Sequence, residues 1–135
     1  MTRFLFDTGI AGCFINRRKR VFERAKIEIR HGHRIGICTP GLCELRYGAE
    51  ASANPIRNHQ RLQLSLSELA VWPLTNEAST EYGRLAAFLK RTGRPMQQID
   101  IQIAAIALTL GSCVVVSTDS DRLSIPGLTV ENWAA

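Results

Sequence analysis

No run of about 18 or more apolar residues occurs in this 135-residue chain, so no segment is expected to span a membrane as a helix. The opening MTRFLFDTGI lacks a long apolar stretch and a small-residue cleavage site, and reads as a first strand rather than a secretory leader. None of the four cysteines, Cys13, Cys38, Cys43 and Cys113, has CxxC spacing or a histidine nearby in a ligand pattern, which argues against a zinc or dithiol redox site. They read as reduced, structural thiols, as expected in a cytoplasm. Repeats, low-complexity tracts and linkers are also missing. Acids are scarce: 12 Asp and Glu stand against 17 Lys and Arg, giving a net charge of +5. That balance favours an anionic partner, nucleic acid first among them, and makes the positions of the few acids informative.

With 45% apolar residues the chain can build a core unaided, and residues 1–135 are expected to form a single domain. Arg3–Asp7 (RFLFD) predicts a short buried strand. A helical stretch then runs to about Arg30, with Val21, Phe22, Ala25 and Ile29 on one face, and Gly32 breaks it. Arg34–Cys38 is a second strand. Thr39-Pro40 opens a helix through Glu44 to about Ser52, Thr39 being the expected cap. Asn54-Pro55 starts another, to roughly Ser67. Leu69–Trp72 is a third strand, and Asn76–Arg91 a helix ended by Gly93 and Pro95. Asp100–Leu110 (DIQIAAIALTL) is apolar nearly all round and predicts a buried helix. Cys113–Val116 (CVVV) is a fully buried strand, and Leu128–Val130 a last short one. Strands alternating with helices imply an α/β protein with a central parallel sheet of four to five short strands and helices on both faces.

Asp7 ends the first strand, and Asp119 and Asp121 follow the strongest one. In an open parallel sheet, ligands bind at the carboxyl ends of the strands, so these acids project from one edge. Glu44, early in the helix after the second strand, can join them. Asp100 is harder to place. A helix that precedes a strand is taken to start at the opposite edge, so the 93–99 loop or a tilt would have to bring Asp100 across. Several carboxylates in one small site repel one another unless a cation compensates, and Mg²⁺ or Mn²⁺, hard and oxygen-loving, suits the role. Such a metal orients and deprotonates a water and neutralises charge on a phosphodiester under attack. Taken singly, each acid also has an ordinary structural reading: a strand-end turn for Asp7, an N-cap for Asp100, a turn for Asp119 and a solvated helix face for Glu44.

Four blocks change the weighting. LFDTGI resembles the LLDTNI opening of PIN-domain nucleases, and TPGLCELRYGAEAS resembles the segment carrying their second acid. YGRLAAFLKRTGRPMQQIDIQIAAIAL resembles the stretch leading to their third acid. VVVSTDSDRLSIPGLTVENW resembles their closing strand, acid-bearing turn, Pro-Gly-Leu and terminal Trp. The blocks occur in family order over nearly the whole chain, and the ELRYGAE and GLTVENW blocks resemble VapC-type toxins. The resemblance implies a PIN-like three-layer sandwich and a metal-dependent endoribonuclease acting as the toxin of a type II toxin–antitoxin system. It further implies Mg²⁺ or Mn²⁺, a VapB-type antitoxin, an RNA substrate with transfer RNA foremost, and a homodimer. It maps metal binding and catalysis onto Asp7, Glu44, Asp100 and Asp119, with Asp121 as an outer or alternative fourth ligand, and it implies that Asp100 does reach the site. Gly9 departs from the family, which often has Asn there.

Other readings stay beside this one. Asp7-Thr8-Gly9 also matches the aspartic-protease triplet, but those proteins are all-β. A catalytically silent PIN-like module that binds RNA or protein is the main alternative, and the residues alone do not separate RNA from DNA. Arg17, Arg18, Lys19 and Arg20 are a candidate RNA-contacting patch or else a solvated helix start. His31 and His33 suit a helix end. Trp72 and Trp133 read as packing residues. Phe14, Ile15, Phe22, Leu62, Leu64 and Leu66 read as core, with a partner surface as the other option.

Overall fold

The computed structural model describes residues 1–119 and 125–134. Five strands, β1 (Arg3–Phe6), β2 (Arg34–Cys38), β3 (Ala70–Trp72), β4 (Cys113–Val116) and β5 (Thr129–Glu131), form one sheet in the order β3-β2-β1-β4-β5. Every pairing is parallel, with Phe4 opposite Ile35 on one side and Val114 on the other. Alternation along the strands feeds both faces. Phe4, Phe6, Ile35, Ile37 and Val116 point to one side, where α1 (Thr8–Ile15) and α2 (Val21–Arg30) cover them together with Trp133. Leu5, Cys38, Trp72 and Val115 point to the other and pack on α5 (Asn76–Arg91) and α6 (Gln98–Leu110). Helices α3 (Thr39–Glu50) and α4 (Pro55–Leu66) pair with each other beside α1. The result is the expected α/β sandwich, helix–sheet–helix.

Several local expectations are corrected. The single helical stretch to Arg30 is two helices, because the chain turns at 16–20, where Arg17, Lys19 and Arg20 take left-handed backbone angles (φ 56, 54 and 60). Cys38, not Thr39, occupies the cap position of α3; the Thr39 hydroxyl instead accepts the Leu74 amide at 3.2 Å, joining α3 to the segment after β3. Gly36 marks a close approach: a Cβ there would lie 2.6 Å from the Ala70 carbonyl and 2.7 Å from the Trp72 ring, so β2 accepts only glycine against β3.

The path of α6 decides where the site forms. Its carboxyl end meets the start of β1, where the Arg3 amide bonds the Ser112 carbonyl at 2.9 Å and the Arg3 guanidinium bonds Gly111 at 3.0 Å. The helix must finish where β4 begins, at the amino edge of the sheet, so its first turn lies at the carboxyl edge. The premise that a helix preceding a strand starts at the opposite edge is thereby corrected, and no special loop excursion is needed for Asp100.

Candidate active site

Three helices begin at the carboxyl edge of the sheet, and each brings an acid. Asp7 leaves β1 and becomes the N-cap of α1, its Oδ1 accepting the Ile10 amide at 2.8 Å. Asp100 lies in the first turn of α6, the position where a helix dipole favours a negative charge. Its cap is Gln97, so Asp100 is not the N-cap that local reading allowed. Glu44 sits on the second turn of α3. The fourth acid, Asp119, follows β4, which is hydrogen-bonded to β1: the Asp7 amide bonds the Val116 carbonyl at 3.0 Å, and the Asp119 amide bonds Oγ of the fully buried Ser117 at 3.0 Å.

All four acids line one cavity of about 200 Å³. Asp100 is the floor, only 5% exposed; Asp7 is half-buried, and Glu44 and Asp119 stand at the rim. Asp121 lies outside the described residues; among the described residues of the last segment, Asp119 is the acid that lines the cavity. Sequence reasoning passed over two hydroxyl residues of the same cavity, Thr8 and Thr118. The Thr8 hydroxyl donates to Oε1 of Glu44 at 2.5 Å, tying the α1 start to α3. Each follows or precedes an acid directly (DT, TD), and that adjacency was the available signal. Gly9 needs no glycine: its backbone is ordinary and a Cβ would sit 3.7 Å from Oδ1 of Asp7, so the space beside that acid is open.

The donor set fits a hard divalent cation. Four carboxylates border one small cleft, and carboxylate oxygens are the donors such a cation prefers. Among the described residues, no three Asp, Glu, His or Cys side chains converge closely enough to cage an ion alone. Mg²⁺ does not require such a cage, since it keeps several waters and is commonly held by one or two carboxylates directly.

The basic run lies elsewhere. Arg17, Arg18, Lys19 and Arg20 form the exposed turn between α1 and α2 and line no part of the acid cavity; the Arg17 guanidinium stacks 3.3 Å from the centre of the Phe22 ring. The turn leads directly into α2, with Arg20 as its left-handed N-cap residue. His31 ends α2, and Nδ1 of His33 accepts the Thr2 amide at 3.0 Å. Trp72 and Trp133 are buried packing residues. Phe14 and Leu62 are core, Ile15, Phe22 and Leu66 are half-buried, and Leu64 is exposed.

The buried thiols are chemically quiet. Burial pushes Cys38 up to about 11 and Cys113 likewise to about 11, so neither is a thiolate nucleophile near neutral pH.

Comparison with known proteins gives a consistent result. The PIN domain family model matches residues 4–127. The tRNA(fMet)-specific endonuclease VapC of Shigella flexneri is 31% identical over 134 residues, covering 99% of this chain and 100% of that protein. The DNA-bound VapBC of Salmonella typhimurium superimposes with a TM-score of 0.89 at 32% identity, covering 98% of this chain and 99% of the other. VapBC2 from Rickettsia felis, bound to a DNA fragment from its promoter, gives 0.91 at 25% identity with the same coverage.

Proposed function

This chain belongs to the PIN-domain family, and from that premise we propose that it is a VapC-type endoribonuclease, the toxin of a type II toxin–antitoxin pair, working with Mg²⁺ or Mn²⁺ at Asp7, Glu44, Asp100 and Asp119. The observation that carries the reading is the meeting of four acids from four separate segments in one cleft at the carboxyl edge of the sheet. Full-length similarity to proteins named as VapC endonucleases and ribonucleases supports RNA as substrate, and transfer RNA as the class to try first. Similarity to VapBC complexes supports a VapB-type antitoxin as partner. A homodimer in the cytoplasm is the assembly and location we assign to it.

When bound, the cation supplies charge neutralisation at the phosphodiester and a water acidic enough to attack it. The protein's own part is positional. Asp100, walled off at the floor, and Asp7, fixed by its bond to the Ile10 amide, are the rigid donors. Glu44 and Asp119, exposed at the rim, would complete the donor set around the cation; Thr8 holds Glu44 and Ser117 holds the Asp119 turn. The helix starts behind Asp7 and Asp100 favour their negative charge and so favour cation binding.

The test is cleavage of a labelled total transfer-RNA pool by purified, antitoxin-free protein with Mg²⁺ or Mn²⁺, with EDTA, and with Asp7→Asn in parallel. Metal-dependent cutting lost in the variant is expected. Intact RNA in every lane, from folded protein, would instead favour a silent binding module.

A further inference from the structure

Beside the acid cleft lies a second cavity of about 600 Å³, between the start of α3 and the first turns of α6. Glu44, Gln97 and Ile99 line both, so the two cavities adjoin. Past that boundary the second cavity changes character. Pro40 and Leu74 give it an apolar wall, and Gln98 and Gln102 supply side-chain amides. Those two glutamines are spaced i, i+4 on α6 and so stand one above the other on the same face of a helix that is otherwise almost wholly apolar. Gln97 occupies the cap position of α6 without a side-chain capping bond. No hydrogen bond among the described residues takes up the amide of Gln97, Gln98 or Gln102.

The lining excludes one ligand class and suits another. It contains no Lys or Arg, and its one charged residue is Glu44, so a phosphate is repelled. Carboxamides over an apolar wall match a flat, neutral group that stacks on its faces and hydrogen-bonds at its edge. Nucleobases splayed from a single strand are held in that way. The cavity on the other side of Glu44 offers the contrast: it carries Arg61, bonded to Asn16 at 3.1 Å, and suits a charged backbone.

We propose that the Gln98–Gln102 cavity receives the base of a single-stranded RNA nucleotide flanking the bond held in the acid cleft, and that Gln98 and Gln102 read that base's hydrogen-bonding edge. The inference rests on the RNA-cutting reading above, and its test separates the two. Short single-stranded RNA oligomers, differing in one base at a time, are titrated into Asp7→Asn protein and followed by fluorescence anisotropy, with and without Gln98→Leu/Gln102→Leu. The same oligomers are given to the otherwise native protein with Mg²⁺ to map cutting. At one position the four bases should differ in affinity by about tenfold, and the double substitution should bring them within about twofold, while an oligomer abasic there binds both proteins alike. Leucine keeps the helix and the apolar wall, so a general loss of folding is not expected; circular dichroism checks this, and Gln98→Ala/Gln102→Ala replaces the pair if it fails. Base discrimination that survives the substitutions, or none in the Asp7→Asn protein at any position, overturns the proposal. Discrimination without any cutting by the native acid set keeps the base pocket and overturns the nuclease reading.

Discussion

The hydroxyl of Thr8 donates a 2.5 Å hydrogen bond to Oε1 of Glu44, so the residue directly after the first acid holds the second. Glu44 is otherwise an exposed carboxylate on the second turn of α3, with rotamer freedom to leave the cleft. A positioning residue of this kind acts through orientation. Thr8→Val, which keeps the shape and removes the donor, should lower kcat for RNA cleavage by about tenfold, and Thr8→Ser should restore most of it. Single-turnover cleavage at saturating protein checks this; equal rates for Val and Ser would remove Thr8 from the site's machinery.

Asp7 has two jobs that substitution can separate. Its Oδ1 caps α1 through the Ile10 amide, and its carboxylate borders the acid cleft. Asparagine caps about as well as aspartate, whereas alanine costs about 1 kcal/mol. Asp7→Asn should therefore unfold in urea at nearly the native midpoint, Asp7→Ala earlier, and both should cut at least ~100-fold more slowly. An Asp7→Asn protein that cuts at the native rate would exclude this carboxylate from catalysis.

Much of this was legible in the chain itself. The chain has four aspartates in all, at 7, 100, 119 and 121, and three of them line the cleft. Strand ends and helix starts are marked locally, by RFLF before Asp7 and CVVV before Asp119, so placing these acids at one edge needed only the parallel-sheet rule. For Asp100 only the resemblance pointed to the cleft; local reasoning put the start of its helix at the wrong edge, because that depends on where α6 must end, at Gly111 beside Arg3, a contact 108 residues apart in sequence. The turn at 16–20 was missed for a different reason. Arg and Lys are good helix formers, and nothing in RRKR signals three residues with positive φ. Thr8 was missed because its bond to Glu44 spans 36 residues.

Gly36 gives a stability prediction independent of catalysis. A methyl group there meets backbone, the Ala70 carbonyl at 2.6 Å, as well as the Trp72 ring, and backbone cannot swing aside as a side chain would. Gly36→Ala should cost about 1–3 kcal/mol and lower the thermal midpoint by several degrees. An unchanged midpoint would mean that β3 shifts freely against β2. Because Leu74, which lines the amide cavity, follows β3 by two residues, the substitution should also disturb that cavity.

The raised thiols set an alkaline limit. Cys38 titrates near 9.0 unfolded and about 11 folded, the desolvation of its thiolate being the main cause, with Cys113 similar. The unfolded chain releases these protons first, so it binds fewer protons than the folded state between pH 9 and 11. Stability is therefore full below about pH 9 and falls as pH rises toward 11, by on the order of 2 kcal/mol for the more deeply buried Cys38. Urea midpoints measured across that range should decline, and Cys38→Ala should flatten the decline. At neutral pH the exposed Cys43 should be the first of Cys38, Cys43 and Cys113 to react with a thiol reagent.

Asp100 links the cleft to folding. It is 5% exposed in the first turn of α6, so its carboxylate has given up most of its water. A cation bound there would add contacts that only the folded state can make. Mg²⁺ at about 100 times its Kd should then stabilise the native protein by about 2.7 kcal/mol, a rise of roughly 10 °C in Tm, reversed by EDTA. Asp100→Asn removes the charge and keeps the shape. Its response to Mg²⁺ should vanish along with cutting, while its circular-dichroism spectrum stays native. A native spectrum with no Mg²⁺ response separates loss of the site from a damaged fold. If Asp100→Asn responds to Mg²⁺ as the native protein does, the cation binds elsewhere and the buried acid serves another purpose.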